Sequence, residues 1–283
     1  MTLKWHIIPT GRVWLDPGGA FGLVPRSMWQ KHQPPNQDQL IPMDLNSLLI
    51  FSGDKVILVD SGIGDKLSPK AMEIWGIEWP EGTMLENLKK WGVKREDVDI
   101  VINTHLHSDH SGGNTRIVDG KIEPTFPNAI YMVQENEYFD ATHTNVRTRA
   151  TYLPENFDPI FTNKRFHFLK GDSHITDHVR TVLTPGHTPG HQSVIVEGGD
   201  FPIFFVSDLA SYAIHFAKTA WVTAYDVEPL KTIKSKEIWQ KWAFDNKALV
   251  VFQHDITIRS GTLIKNEKNR YEIDVKEVGS LGK

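Results

Sequence analysis

The run Thr104-His105-Leu106-His107-Ser108-Asp109-His110 constrains this chain more than any other stretch. It follows the apolar segment Val98–Asn103, which reads as a buried strand, and it leads into the turn Ser111-Gly112-Gly113. In extended backbone alternate side chains point the same way, so His105 and His107 can reach one point together. The turn that follows can swing Asp109 and His110 towards a neighbouring point. Buried polar groups without partners are costly, so packing alone does not account for four such groups in so short a run. The chain has 13 His and no Cys, so any transition-metal site must be built from imidazole and carboxylate. The absence of Cys also excludes disulfides and thiolate nucleophiles.

Three further segments end strands in the same manner. Thr184-Pro185-Gly186-His187-Thr188-Pro189-Gly190-His191 follows the strand-like run Val179–Leu183, and a Pro-Gly turn there presents His187 rigidly. His187 is the candidate third ligand of a first metal, while His191 reads as a hydrogen-bonding group within the turn. Asp208 follows the apolar run Phe201–Val206. Its two oxygens can bridge two metals, the structural alternative being a helix N-cap. His254, in Phe252-Gln253-His254-Asp255, closes the set. Ligating histidines need acceptors for their other ring nitrogen, and Asp60 in Val59-Asp60-Ser61-Gly62 is the candidate.

The rest of the chain alternates strand and helix signals. Leu3–Ile8 and Arg12–Leu15 read as two short strands broken by Pro9-Thr10-Gly11, and residues 16–42 as a long loop carrying Phe21, Met28 and Trp29. Asn46–Phe51 and Lys55–Asp60 form a predicted hairpin. Helices are predicted over Met84–Trp91, Gln134–Asp140, Asn145–Leu153 and Lys234–Phe244, the last with Ile238, Trp242 and Trp239 facing inward. Further strands are predicted at Ala129–Val133, Ser193–Val196, Ile203–Val206, Leu249–Phe252, Thr257–Ile264 and Tyr271–Val275. With no repeat or linker in 283 residues, the chain reads as one domain, an α+β arrangement of sheets covered by helices.

Bulk properties remove several function classes. A net charge of −4 offers no broad basic surface for nucleic acid. No run approaches the roughly 18 apolar residues of a membrane span, and no basic region followed by an apolar run marks a signal peptide, so a cytoplasmic location is expected.

Together these residues resemble the metallo-β-lactamase superfamily. The likeness runs from the Val59-Asp60-Ser61-Gly62 turn through the H-x-H-x-D-H loop, the Pro-Gly-His turn and Asp208 to His254. It implies a four-layer αββα sandwich with two divalent metals at one edge. Zn²⁺ is the expected ion, and Fe, Co or Mn suit the same donors. On this resemblance His105, His107 and His187 hold the first metal. Asp109, His110 and His254 hold the second, Asp208 bridges, and Asp60 orients a ligand.

Branches of the superfamily differ in their ligands. The redox di-iron branch has Glu where His107 stands. The largest antibiotic-hydrolysing class needs a Cys near Asp208. Glyoxalase II-like thiolesterases share all seven ligands but end in a helical region, whereas this chain is strand-like after His254. Thr184–Ser193 and His254-Asp255 are similar to acyl-homoserine lactonases. Phe21–Pro25, Phe126–Ala129 and Trp221–Asp226 are similar to the YtnP-type lactonases. The implied reaction is opening of a lactone ring by a hydroxide held between the metals, with Asp109 shuttling the proton. The alternatives are another ester, organophosphate or thiolester hydrolase, or a non-catalytic metal-binding sensor. Some lactonases place a Tyr three residues after the bridging Asp. Here Ser211 stands there and Tyr212 follows, so Tyr212 either fills that role after a one-residue shift or packs. Phe21, Met28, Trp29 and Trp221 are candidate contacts for the small-molecule substrate. The long N-terminal loop suits either the substrate or a homodimer contact.

Overall fold

The computed structural model describes residues 3–276. Its strands are β1 (Lys4–Leu15), β2 (Ile41–Ser52), β3 (Lys55–Val59), β4 (Ile100–Ile102), β5 (Thr115–Val118), β6 (Lys121–Pro124), β7 (Ile130–Gln134), β8 (Phe166–Leu169), β9 (Ser173–His174), β10 (Val179–Leu183), β11 (Gln192–Val196), β12 (Ile203–Phe205), β13 (Leu249–Val251), β14 (Ser260–Lys265) and β15 (Tyr271–Val275). They form a six-stranded sheet in the order β1-β2-β3-β4-β7-β8, a seven-stranded sheet in the order β15-β14-β13-β12-β11-β10-β9, and a separate β5–β6 hairpin.

Side-chain alternation builds the layers. Leu48, Ile50, Ile57, Val59, Ile100 and Ile102 meet Val194, Val196, Ile203, Phe205, Leu249 and Val251 between the two sheets. The residues interleaved with them, Leu49, Leu58 and Val101, turn outward onto Met84 and Leu88 of the helix Met84–Lys90. On the second sheet Ile195, Phe204 and Val250 turn outward onto Ala243, Trp239 and Trp242 of the helix Pro229–Asp245. The result is the αββα sandwich, and it explains why these strands are continuous apolar runs: both of their faces are covered. Among the described residues no helix is long and apolar enough to cross a membrane.

Several segments depart from the expectations. β1 is one strand, not two, because a register shift between Pro9 and Gly11 lets it continue along β2. Proline is tolerated there because β1 is an edge strand. The stretch 16–42 is not uniformly loop. It holds the short helices Pro17–Phe21 and Arg26–Trp29, and β2 begins at Ile41. Residues 145–153 form turns instead of a helix, because the Asn145 carboxamide accepts from the Arg147 and Thr148 amides and competes with helical bonding. Ile238 is exposed, whereas Thr232, Ser235, Lys236, Gln240 and Ala243 carry the buried face of their helix. Trp91 lies past the end of its helix, half-exposed and stacked on His6.

Candidate metal centre

The parallel pairs β3–β4 and β12–β13 deliver their carboxyl ends to one edge of the sandwich. Asp60 follows β3, Thr104–His110 follows β4, Asp208 follows β12 and His254 follows β13. Hydrogen bonds between the sheets close this edge. Thr104 and Asn103 carbonyls accept from the Gln192 amide (3.0 Å) and its side chain (2.8 Å), and the Gln253 carbonyl accepts from Asn46 (3.1 and 2.8 Å). Asp60 and Ser207 adopt left-handed backbone, with φ of 56° and 49°, a conformation that costs energy in non-glycine residues. The bend at Ser207 turns Asp208 off the strand line.

The seven predicted ligands converge. His187 Nε2 lies 3.1 Å from Asp208 Oδ2, and His254 Nε2 lies 3.1 Å from Asp208 Oδ1, so the two oxygens of one carboxylate serve two groups of histidines. His105 and His110 approach Asp208 Oδ2 at 3.8 and 3.3 Å, and Asp109 Oδ2 is 3.4 Å from His110 Nε2. The ligand atoms of His105, His107 and His187 all lie within 4.8 Å of one another, as do those of Asp109, His110 and His254.

The outward ring nitrogens decide what the inward ones can do. His110 Nδ1 faces Asp60 Oδ2 at 3.0 Å, His187 Nδ1 faces Asp226 Oδ1 at 2.9 Å, and His254 Nδ1 faces the Asp44 carbonyl at 2.8 Å. These partners only accept, so each Nδ1 carries a hydrogen, and each ring in its neutral form turns a lone pair inward. Inward nitrogens then oppose one another: His187 Nε2 and His107 Nδ1 are 3.0 Å apart, and His254 Nε2 and His110 Nε2 are 3.3 Å apart. His105 Nε2 is buried without any hydrogen-bond partner. Converging ring nitrogens, one of them orphaned, fit cations placed among them, in a donor set of imidazole and carboxylate suited to a two-metal site.

The charges point the same way. Burial pushes the Asp109 acid up, but His110 and His254 outweigh it and hold the acid at about 2. Asp208 is likewise held well below the usual carboxylate range against its burial, chiefly by His187, His254 and His110. In turn burial pulls His110 down, but Asp109 and Asp208 raise it well above the ordinary imidazole value. The carboxylates thus draw positive charge into the centre, a demand that bound metal meets.

Comparison with known proteins agrees with this geometry. The model of the metallo-β-lactamase superfamily matches residues 41–254. The chain belongs to the metallo-β-lactamase superfamily. An N-acyl homoserine lactonase of Bacillus cereus is 29% identical over 271 residues, covering 91% of this chain and 95% of that protein. A probable metal-dependent hydrolase from Staphylococcus aureus superposes with a TM-score of 0.87 at 25% identity, over 98% of both chains. An N-acyl homoserine lactone hydrolase with N-hexanoyl-L-homoserine bound at its catalytic metal center superposes with a TM-score of 0.70. It is 25% identical, over 90% of this chain and 95% of that one.

In this member of the metallo-β-lactamase superfamily the remaining candidates take varied positions. The His191 ring lies inside its turn, with Nδ1 2.7 Å from Thr184 Oγ1, and its Nε2 accepts the Asp208 amide at 3.2 Å. It therefore supports the backbone of Asp208. Tyr212 is fully buried. Its hydroxyl donates to the Pro42 carbonyl at 3.3 Å and its ring stacks on Phe21. Phe21 and Trp29 are themselves buried and stacked 5.3 Å apart, Trp221 packs partly buried against the same cluster, and Met28 is half-exposed.

Three acidic or phenolic residues were given no role by the sequence. Asp226 holds His187, Glu137 lies buried beside both first-metal loops, and half-exposed Tyr225 stands next to Asp226. Burial, then the carboxylates of Asp109, Asp16 and Asp208, raise the Tyr225 phenol to about 12. Beside them lies a cavity of about 510 Å³ lined by Gly22, Leu23, Val222, Val227, Pro229 and Arg147 among others. Single acids and phenols carry no spacing signature, so no local pattern could have singled them out.

Proposed function

We propose that this chain is a dinuclear metal-dependent hydrolase that opens the lactone ring of N-acyl homoserine lactones. The observation that carries the reading is the splayed carboxylate of Asp208, with one oxygen 3.1 Å from His187 and the other 3.1 Å from His254. It stands in a fold shared with proteins named for that reaction. His105, His107 and His187 would hold the first metal, Asp109, His110 and His254 the second, with Asp208 between them. Zinc is the ion this donor set favours. Two such ions supply Lewis acidity towards a carbonyl oxygen and a nucleophile at neutral pH.

The chain's own groups do the rest. Asp109, ionised and the most exposed of the ligating groups, is placed to take a proton from the attacking oxygen and pass it to the leaving alkoxide. Tyr225 keeps its proton at neutral pH and can donate it as a hydrogen bond to a substrate oxygen. The apolar lining of the cavity suits an acyl tail. Asp226, through His187, and Asp60, through His110, fix ring orientation.

The test is proton release by the zinc-loaded protein presented with N-acyl homoserine lactones, aryl esters, phosphotriesters and thiolesters. Turnover of the lactones well above the other classes is expected. Turnover confined to phosphotriesters or thiolesters would overturn the proposal.

A further inference from the structure

Glu137 sits in the first turn of the helix Glu135–Thr142, which contributes no metal ligand, yet its carboxyl group is fully buried. Each donor it meets lies on a loop of the first metal or packs against a ligand of it. Oε1 accepts the backbone amide of Leu106, the residue between His105 and His107, at 2.9 Å. The same oxygen accepts the Tyr152 hydroxyl at 2.9 Å, and the Tyr152 ring lies against the His107 ring with centroids 4.9 Å apart. Oε2 accepts the hydroxyl of Thr188, the residue after His187, at 2.5 Å. The contact is close on the backbone side too. A side chain at Gly190 would come within 2.5 Å of the Glu137 amide, so the His187 turn presses directly on this helix.

A buried carboxylate is expensive unless hydrogen-bonded, and a carboxylate is an acceptor only. Three donors that converge on it from three separate segments, two of them the ligand loops, must keep their relative positions to stay satisfied. Leu106 and Thr188 are 31 and 51 residues from Glu137 in sequence, so this one side chain spans two loops that are distant along the chain. We infer that Glu137 is a positioning residue for the first metal, a staple that sets the spacing of His105 and His107 against His187. The inference rests on the metal reading above and deepens it. The second group, Asp109, His110 and His254, is held instead by Asp60 and the Asp44 carbonyl. Loss of the staple should therefore be felt at one metal and not the other.

Cobalt(II) titration of metal-free protein against a competing chelator tests this, read by the visible absorption of the bound ion and by metal content per chain. Wild type should take up two ions. Glu137→Ala should lose about 10- to 100-fold in affinity for one ion, keep the other, and show altered absorption for the weakened site. Glu137→Gln keeps one acceptor oxygen and should restore affinity to within a few-fold of wild type. Circular dichroism of the metal-free variants checks folding. Should Glu137→Ala not fold, Thr188→Val cuts only the bond to the His187 turn and should weaken the same ion several-fold. A folded Glu137→Ala, or failing that Thr188→Val, that binds both ions with wild-type affinity and spectrum would overturn the inference. So would equal weakening of both ions. Failure of wild type to bind two ions would instead overturn the metal reading itself.

Discussion

Asp60→Asn is the substitution that most cleanly separates charge and tautomer from packing at this centre. The Asp60 carboxylate is fully buried and accepts three hydrogen bonds: Thr104 N–H to Oδ1 at 2.8 Å, and Thr104 Oγ1 and His110 Nδ1 to Oδ2 at 2.8 and 3.0 Å. Asparagine can keep the first with its carbonyl oxygen. Its NH₂ then takes the place of Oδ2. Thr104 can turn its own hydrogen to Ser207 Oγ, 2.9 Å away, and accept. His110 has only one way to adapt. Its Nδ1 must become an acceptor, which moves the ring hydrogen to Nε2, the nitrogen 3.3 Å from both Asp208 Oδ2 and His254 Nε2. A protonated Nε2 cannot ligate. Loss of such an orienting partner costs about 10- to 100-fold in metal affinity, or about 1.4–2.8 kcal/mol. The fold should lose less, about 1–2 kcal/mol, because the bonds are exchanged and not deleted. Chelator competition with cobalt(II), alongside thermal melting of the metal-free protein, measures both. An Asn variant that binds the second ion within about threefold of wild type, where typical losses are tenfold or more, would refute this reasoning.

Other substitutions test other parts. Tyr225→Phe should lower kcat/KM for lactones by about tenfold or more through loss of one substrate hydrogen bond. Tyr212→Phe should change activity little and cost about 0.5–1.5 kcal/mol of stability, both read by steady-state kinetics and melting. Gly190→Ala pushes a methyl to 2.5 Å from the Glu137 amide and should destabilise by about 1–3 kcal/mol in denaturant unfolding. Burial holds Lys236 at about 7, against 10.5 for the free side chain, while its ammonium donates to the Lys218 and Trp221 carbonyls. Between those values the unfolded chain binds a proton that the folded chain does not. Stability should therefore rise with pH from about 7 to 10, by at most about 1.4 kcal/mol per unit, and Lys236→Met should flatten that rise in urea titrations.

What could be read in advance follows from how each element is stabilised. The runs at 56–59, 98–102, 201–206 and 249–252 are covered on both faces, so hydrophobicity alone marks them, and their ends mark the ligand positions. Segments held by other means were opaque. The Phe166–Leu169 strand is only partly buried, and the helix Pro69–Trp75 buries none of its residues, so neither shows an apolar pattern. In the helix Pro229–Asp245 the buried face includes Lys236 and Gln240, whose polar ends bond to the Trp221 and Phe216 carbonyls, and this misdirected the expectation for Ile238. The histidines were visible because they cluster in sequence or, like His254, end an apolar strand. Their supports were less so, because Asp226 reaches His187 over 39 residues of separation and Glu137 reaches Leu106 and Thr188 over 31 and 51.

Anomalous scattering from crystals grown with zinc addresses the whole account. Two peaks about 3.5–4 Å apart are expected, one among His105, His107 and His187, the other among Asp109, His110 and His254, with Asp208 reaching both. A single peak, or density at neither group of residues in zinc-saturated crystals, would contradict it.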